Sequence, residues 1–298
     1  IHGNPNAAYV YNWSNAVYDI QSDGTNLTSD YGQFDNYGTL CKSAGGGTSR
    51  VSSVFNNYGG TLTVRTGTLM LASTGTRSNG VFEVAEGATL DLTGGSGPTY
   101  CGLFTDTGSG IVRFQSGTLY GGSPELSFAL TNGLYWNGAG LLRGTLNNME
   151  LMVLSGADTK EVFRCALNNY GTIRHTGAGS LYLNGNPGSS LLVNQSNGFY
   201  DMRIDGTLIT ENYGTVYNYG TLCKTDGVGT SLVACTVHNY GGTLESRSGT
   251  LRLNGLDHVD GILRLDGGSL SLPAFTLQAG RIEGAGTLKV AGRLTSSG

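Results

Sequence analysis

An internal duplication restricts this chain more than any other feature. Phe34 to Ser73 reads FDNYGTLCKSAGGGTSRVSSVFNNYGGTLTVRTGTLMLAS, and Val216 to Gly255 reads VYNYGTLCKTDGVGTSLVACTVHNYGGTLESRSGTLRLNG. At a constant offset of 182 and without a gap, the forty-residue copies agree at 23 positions. The shared residues are chiefly Asn, Gly, Thr, Leu and Tyr, turn and strand formers, whereas Asp, His and Glu differ between the copies. What repeats is a backbone path, so a short motif inside it is first of all a structural habit.

The repeat has a finer grain. Gly-Thr-Leu occurs ten times and Asn-Tyr-Gly six times. Leu40 and Leu62, like Leu222 and Leu244, stand 22 residues apart. In Thr61 to Leu71 the apolar Leu62, Val64, Leu69 and Leu71 alternate with other residues, the period of a strand with one buried face. Gly punctuates every run, and Gly or Asn suits a sharp corner with positive φ. Strand and corner closing on themselves every 20–22 residues predict an all-β fold, a single elongated parallel β-helix (β-solenoid). Leu40, Leu62, Leu69, Leu222, Leu244 and Leu251 are its predicted inward residues. The pairs Asn36-Tyr37, Asn57-Tyr58, Asn169-Tyr170, Asn218-Tyr219 and Asn239-Tyr240 are its predicted turns, with the rings in surface rows.

The pattern N-Y-G-T-L-x-K, a Gly-rich stretch, then N-Y-G-G-T-L-x-x-x-x-G-T-L-x-L resembles the repeats of large bacterial surface and secreted β-helix proteins, including autotransporter-type passenger regions. The resemblance covers residues 34 to 298, most clearly the two copies. It implies an extracellular or cell-surface adhesin, fibre or stalk, and it locates no site.

Charged residues make up 13% of the chain, with four lysines (Lys42, Lys160, Lys224, Lys289) and a net charge of −4. That balance argues against nucleic acid as partner, which calls for a basic stripe. No stretch approaches eighteen consecutive apolar residues, so no membrane span is expected. The start at Ile1 fits a mature chain whose signal peptide is gone, and a shortened chain equally. Of the five cysteines, Cys41 and Cys223 share one repeat position; small core residues are the expectation, with one disulfide open.

Residues 1 to 33 lack the coil signature and read as a cap or a strand exchanged with a neighbouring subunit, an irregular first coil being the bland alternative. Residues 34 to 298 are read as solenoid, blurred between Tyr100 and Gly198. There, Gly156 to Asn169 is strand in preference to helix, and Tyr135-Trp136 and Phe199-Tyr200 mark loops or strand ends. Asn12, Asn26 and Asn194 head glycosylation-type triplets.

Catalytic signatures are thin: no phosphate loop, no H-E-x-x-H and no G-x-S-x-G is present, and no cofactor or metal is implied. A glycan-cleaving β-helix would need paired carboxylates, for which Asp201 with Asp205, or Asp257 and Asp260 around His258, are the candidates. Solvated turn acids are the simpler reading. A broken rank of threonines at Thr61, Thr63, Thr66 and Thr68 makes ice adsorption a minor alternative, because Thr63 becomes Glu245 in the second copy.

The expected role is therefore a structural subunit of an extracellular filament or surface layer, not an enzyme. Copies would stack head to tail through an open edge at Lys289 and Val290. The alternative is an adhesin or glycan-binding module carrying surface glycans.

Overall fold

The computed structural model describes residues 1, 8–28 and 31–296. Among the described residues no helix occurs and 64% are strand, and the fold is an all-β parallel β-solenoid of about 14 turns. The chain divides into two compact units, Ile1–Leu146 and Asn147–Gly298. In the first, Ala8–Asn12, Gly32–Asn36 and Val54–Tyr58 pair on one face. Val17–Ile20, Thr39–Lys42 and Thr61–Val64 form the second face, and Gly24–Leu27, Thr48–Val51 and Thr68–Leu71 the third.

Residues 8–28 are thus a coil in register with the next, Ala8 opposite Gly32 and Asn12 opposite Asn36. The cap or exchanged strand drawn over 1–33 gives way to a first coil, and the sequence carries the reason. At the offset of 182, Asn12, Tyr18, Asp19, Asp23, Gly24 and Thr25 return as Asn194, Tyr200, Asp201, Asp205, Gly206 and Thr207. The duplication begins upstream of Phe34, disguised because this coil spells Asn-Tyr-Gly as Asn12-Trp13-Ser14. Gly156 to Asn169 is strand, as Lys160–Phe163 and Ala166–Asn169. Trp136 and Tyr200 are not in loops; both lie in strands with their side chains buried in the core.

All six leucines predicted inward are buried, and Leu40 pairs with Leu62 as Leu222 does with Leu244. Burying one such side chain contributes roughly 1.5–3 kcal/mol. Replacing Leu222 with Ala should cost about 2–5 kcal/mol, read by denaturant unfolding, because the coils above and below hold the cavity open.

The asparagines depart from expectation. Asn36, Asn57, Asn169, Asn218 and Asn239 are fully buried with ordinary backbone angles, not positive-φ turn residues. Each points inward, where its amide bonds the amide one coil away. In the first unit Asn12 Nδ2 donates to Asn36 Oδ1, and Asn36 Nδ2 to Asn57 Oδ1, both at 2.7 Å. In the second, Asn148, Asn169, Asn194 and Asn218 each donate to the next at 2.6–2.8 Å, ending on Asn239, whose Nδ2 donates to His258 Nδ1 at 3.0 Å. Rung separations run from 19 to 25 residues, a wider spread than 20–22. Asn12 and Asn194 are rungs, so their glycosylation-type triplets are engaged in the interior.

Three of the four lysines are also interior. Lys42 Nζ donates to Asp23 Oδ1 at 2.8 Å and to the Ala44 carbonyl; Lys224 Nζ donates to Asp205 Oδ1 at 2.6 Å and to the Asp226 carbonyl. The other carboxylate oxygen accepts the Gly47 N–H in one copy and the Gly229 N–H in the other. Lysine hydrogen bonding, then the glycine N–H, holds both aspartates below their ordinary pKa.

Asn218→Ala orphans an Asn194 donor and the Asn239 acceptor, and should destabilise by about 1–3 kcal/mol for each group left unpaired, measured as a lowered thermal midpoint. His175 donates from Nε2 to the Gly179 carbonyl and accepts at Nδ1 from the Tyr200 hydroxyl, and burial pushes its pKa down from 6.5 to about 4. A depressed pKa means that the unfolded chain takes the proton first. Stability from this group is complete above pH 6.5 and is lost as pH falls toward 4, by about 3 kcal/mol at roughly 1.4 kcal/mol per unit. Subtracting His175→Gln stability curves from wild-type curves across that window should isolate this loss; parallel curves would show that the ring is already charged in the fold.

Candidate functional site

The buried asparagine sets the position of its neighbour. Successive strand residues point to opposite faces, so the residue after each inward rung stands outward at the same corner of every coil. In the first unit those residues are Trp13, Tyr37 and Tyr58. After Tyr37 and Tyr219 the glycine is required by space, a Cβ on Gly38 lying 2.4 Å from the carbonyl oxygens of Trp13 and Ala16 and one on Gly220 lying 2.2 Å from that of Gly198, whereas after Tyr58 it is the positive φ of Gly59, 74°, that favours glycine.

Tyr9 and Tyr11, on the outward side of Ala8–Asn12, extend this corner into a row. Ring centroids run Tyr9–Tyr11 5.9 Å, Tyr11–Trp13 5.3 Å, Trp13–Tyr37 5.5 Å and Tyr37–Tyr58 5.0 Å, with near-parallel planes throughout. The row is wet: Tyr9 is 50% exposed, Tyr11 46%, Trp13 63% and Tyr58 39%. Asp35 is adjacent to Tyr11 on the next coil and Asn56 follows it. Gln33 Nε2 donates to both oxygens of Asp35 and Asn56 Nδ2 to Oδ1 at 2.7 Å, giving the row a polar margin of amides around one carboxylate. Burial, then the nearby charge of Asp35, raises the Tyr58 phenol pKa.

The second unit keeps the corner and changes its chemistry. Tyr219 and Tyr240, counterparts of Tyr37 and Tyr58, have centroids 6.0 Å apart, and Tyr170 follows its rung in the same way. Tyr217 and His238 replace Asp35 and Asn56 and stack at 5.1 Å. His238 Nδ1 lies 2.9 Å from Asp257 Oδ2, to which the Tyr240 hydroxyl donates at 3.4 Å. Asn212-Tyr213-Gly214 is the same tripeptide off this corner: it precedes the strand Gly214–Asn218 that carries the rung, and Tyr213 has φ of 62°.

The carboxylates named from sequence have other partners. Asp201 is buried and bonded by Arg203 at 2.6 Å, with Arg174 at 3.5 Å, and Asp205 is held by Lys224. Asp257 turns outward to His238, His258 turns inward as the last rung, and Asp260 accepts the N–H of Gly261. Lys289 and Val290 lie in Arg281–Val290, opposite Ser271 and Leu272. No disulfide joins the five cysteines. Cys41 and Cys223 are buried, as expected of small core residues, although each stands between two inward side chains, and burial followed by Glu245 pushes the Cys223 thiol up to about 12. Tyr9, Tyr11, Trp13, Gln33, Asp35 and Asn56 escaped the sequence reading; the spacing of Asn12 from Asn36 is the signal that would have found them.

Trp13 is exposed and Trp136 only 1% so. Acrylamide should quench most of the long-wavelength tryptophan emission of the wild type, and Trp13→Phe should leave a blue-shifted, weakly quenched signal. Equal quenching of both proteins would put Trp13 under cover. No protein-family model matches this sequence, and no curated protein or solved structure matches it, so the reading of the site rests on its geometry.

Proposed function

We propose that this solenoid is a glycan-binding module of the adhesin type, acting outside the cell, and that a neutral polysaccharide lies along the aromatic corner of the first unit. One observation carries the reading: five aromatic rings form a continuous row at the surface, four of them exposed and Tyr37 half-buried. Leaving that apolar surface in water forfeits about 25 cal/mol for each Å², and contiguous exposed apolar surface marks interaction sites. A pyranose suits such a row, because its axial C–H bonds pack against the negative face of an aromatic ring. Its hydroxyls meet the phenol groups of the exposed Tyr9, Tyr11 and Tyr58 and the half-buried Gln33, with Asp35 and Asn56 buried behind it and bonded to each other. The row is one residue wide, which fits an extended chain better than a globular partner.

Depletion of the purified protein by insoluble polysaccharides, followed by titration with soluble oligomers of any that bind, tests this. Trp13→Ala with Tyr37→Ala should weaken binding more than tenfold, about 1.4 kcal/mol or more, with the thermal midpoint little changed. Binding equal to that of the wild type, or no binding to any polysaccharide, would refute the reading.

Head-to-tail stacking of copies is a second reading, favoured by Arg281–Val290. This strand pairs on one side with Thr250–Leu272, and Ile282, opposite Leu263 of the core, is 37% exposed. An open edge is a template for further strands. Replacing Lys289 and Val290 with Pro should abolish any concentration-dependent light scattering of this chain; scattering unchanged by the double variant would exclude that edge.

A further inference from the structure

Among the described residues, the first unit encloses a full positive charge with no acidic side chain bonded to it. Arg77 lies in Thr76–Val84, opposite Asn57 on one side and Tyr100 on the other, and its side chain is completely buried. Nη2 donates to the Ser73 carbonyl at 3.2 Å and reaches Ser73 Oγ at 3.4 Å. The guanidinium carbon is 5.5 Å from the centroid of Phe55 and 5.2 Å from that of Tyr100. Nε and Nη1 have no hydrogen-bond partner.

The neighbouring aromatic faces do not balance such a charge. Cation–π contacts to the two rings return only part of what removing the ion from water costs. The two buried acids among the described residues of this unit are engaged elsewhere: Asp35 with Gln33 and Asn56, and Asp91 with Arg113 at 3.0 Å. Lysine has another outlet. Lys160, buried in the second unit and donating to the Asp158 carbonyl, has its pKa lowered chiefly by burial, in the direction of losing its proton. A guanidinium does not do so in a protein. Water would fill the free N–H groups and leave the charge in place. A further unpaired donor occupies the same corner one coil below Ser73, because Val51 pairs with Leu71 and the buried Ser53 hydroxyl, two residues on, has no partner.

We propose that Arg77 holds a small monovalent inorganic anion, a halide such as chloride, on one of its free N–H edges inside the first unit. The anion supplies the missing counter-charge, and the flanking Phe55 and Tyr100 rings bar bulkier anions. The site stands apart from the aromatic corner and does not depend on what binds there.

Two measurements on the wild-type chain decide it. Crystals grown with sodium bromide in place of chloride should show an anomalous bromine peak within hydrogen-bonding reach of Nε or Nη1. The thermal midpoint, at constant ionic strength, should rise saturably as gluconate is replaced by chloride, as for a ligand bound only by the folded state. Arg77→Met should flatten that dependence; if this variant does not fold, the wild-type measurements suffice. A water or nothing at Arg77 in bromide crystals, or equal midpoints in chloride and gluconate, overturns the proposal.

Discussion

The asparagine ladder is the interaction on which the other features depend. An interior amide has to satisfy donors and an acceptor at once, and leaving either unmet costs about 1–3 kcal/mol. An identical amide one coil away does both, as Asn36 does between Asn12 and Asn57. Leucine layers tolerate other apolar residues, so that Ile173 and Tyr200 stack in the column that holds Leu222. A rung accepts only another group with the right lone pair, as when His258 receives Asn239 through Nδ1. The ladder therefore fixes register more strictly than hydrophobic burial does, and a coil gains or loses residues between rungs without shifting them.

The buried lysines show what else the duplication carried. Within the forty-residue copies the acids differ, which suggested that only a backbone path was copied. Yet Lys42 and Lys224 each need a carboxylate, and Asp23 and Asp205 supply it from upstream at the same offset, with the Gly47 and Gly229 N–H groups as second donors. A buried charge without such a partner is expensive, so the lysine, the aspartate and the glycine return together. The pair was invisible because the aligned window began at Phe34, eleven residues after Asp23.

Strand alternation and Gly-Thr-Leu spacing made the solenoid and its leucine layers legible, because burial on one face of a strand leaves a period of two in the sequence. The asparagines were legible as a period but not as a direction. A residue that favours turns is read as a turn, and nothing local says that its amide faces inward toward an identical amide. The same confusion misplaced Trp136 and Tyr200, whose neighbours suggested loops and whose rings fill the core. The aromatic corner was half visible: Tyr37 and Tyr58 followed from the repeat, whereas Tyr9, Tyr11 and Trp13 join only when residues 8–28 are recognised as a coil.

Ladder and row are two sides of one geometric fact. The rung fixes the height of its coil, alternation sends the next side chain outward, and stacked coils repeat at the interstrand distance of about 4.8 Å. Rings at that position therefore stand about 5 Å apart without any interaction of their own to place them, as Trp13, Tyr37 and Tyr58 do. Outward residues at the corner are free to change, since neither the amide contacts nor the leucine layers involve them. The second unit shows that freedom: the rungs persist from Asn148 to Asn239, while Asp35 and Asn56 become Tyr217 and His238 and bring Asp257 into the cluster. A solenoid built in this way separates the residues that hold it together from those on its outer surface, so the surface is able to diverge between copies at little cost in stability.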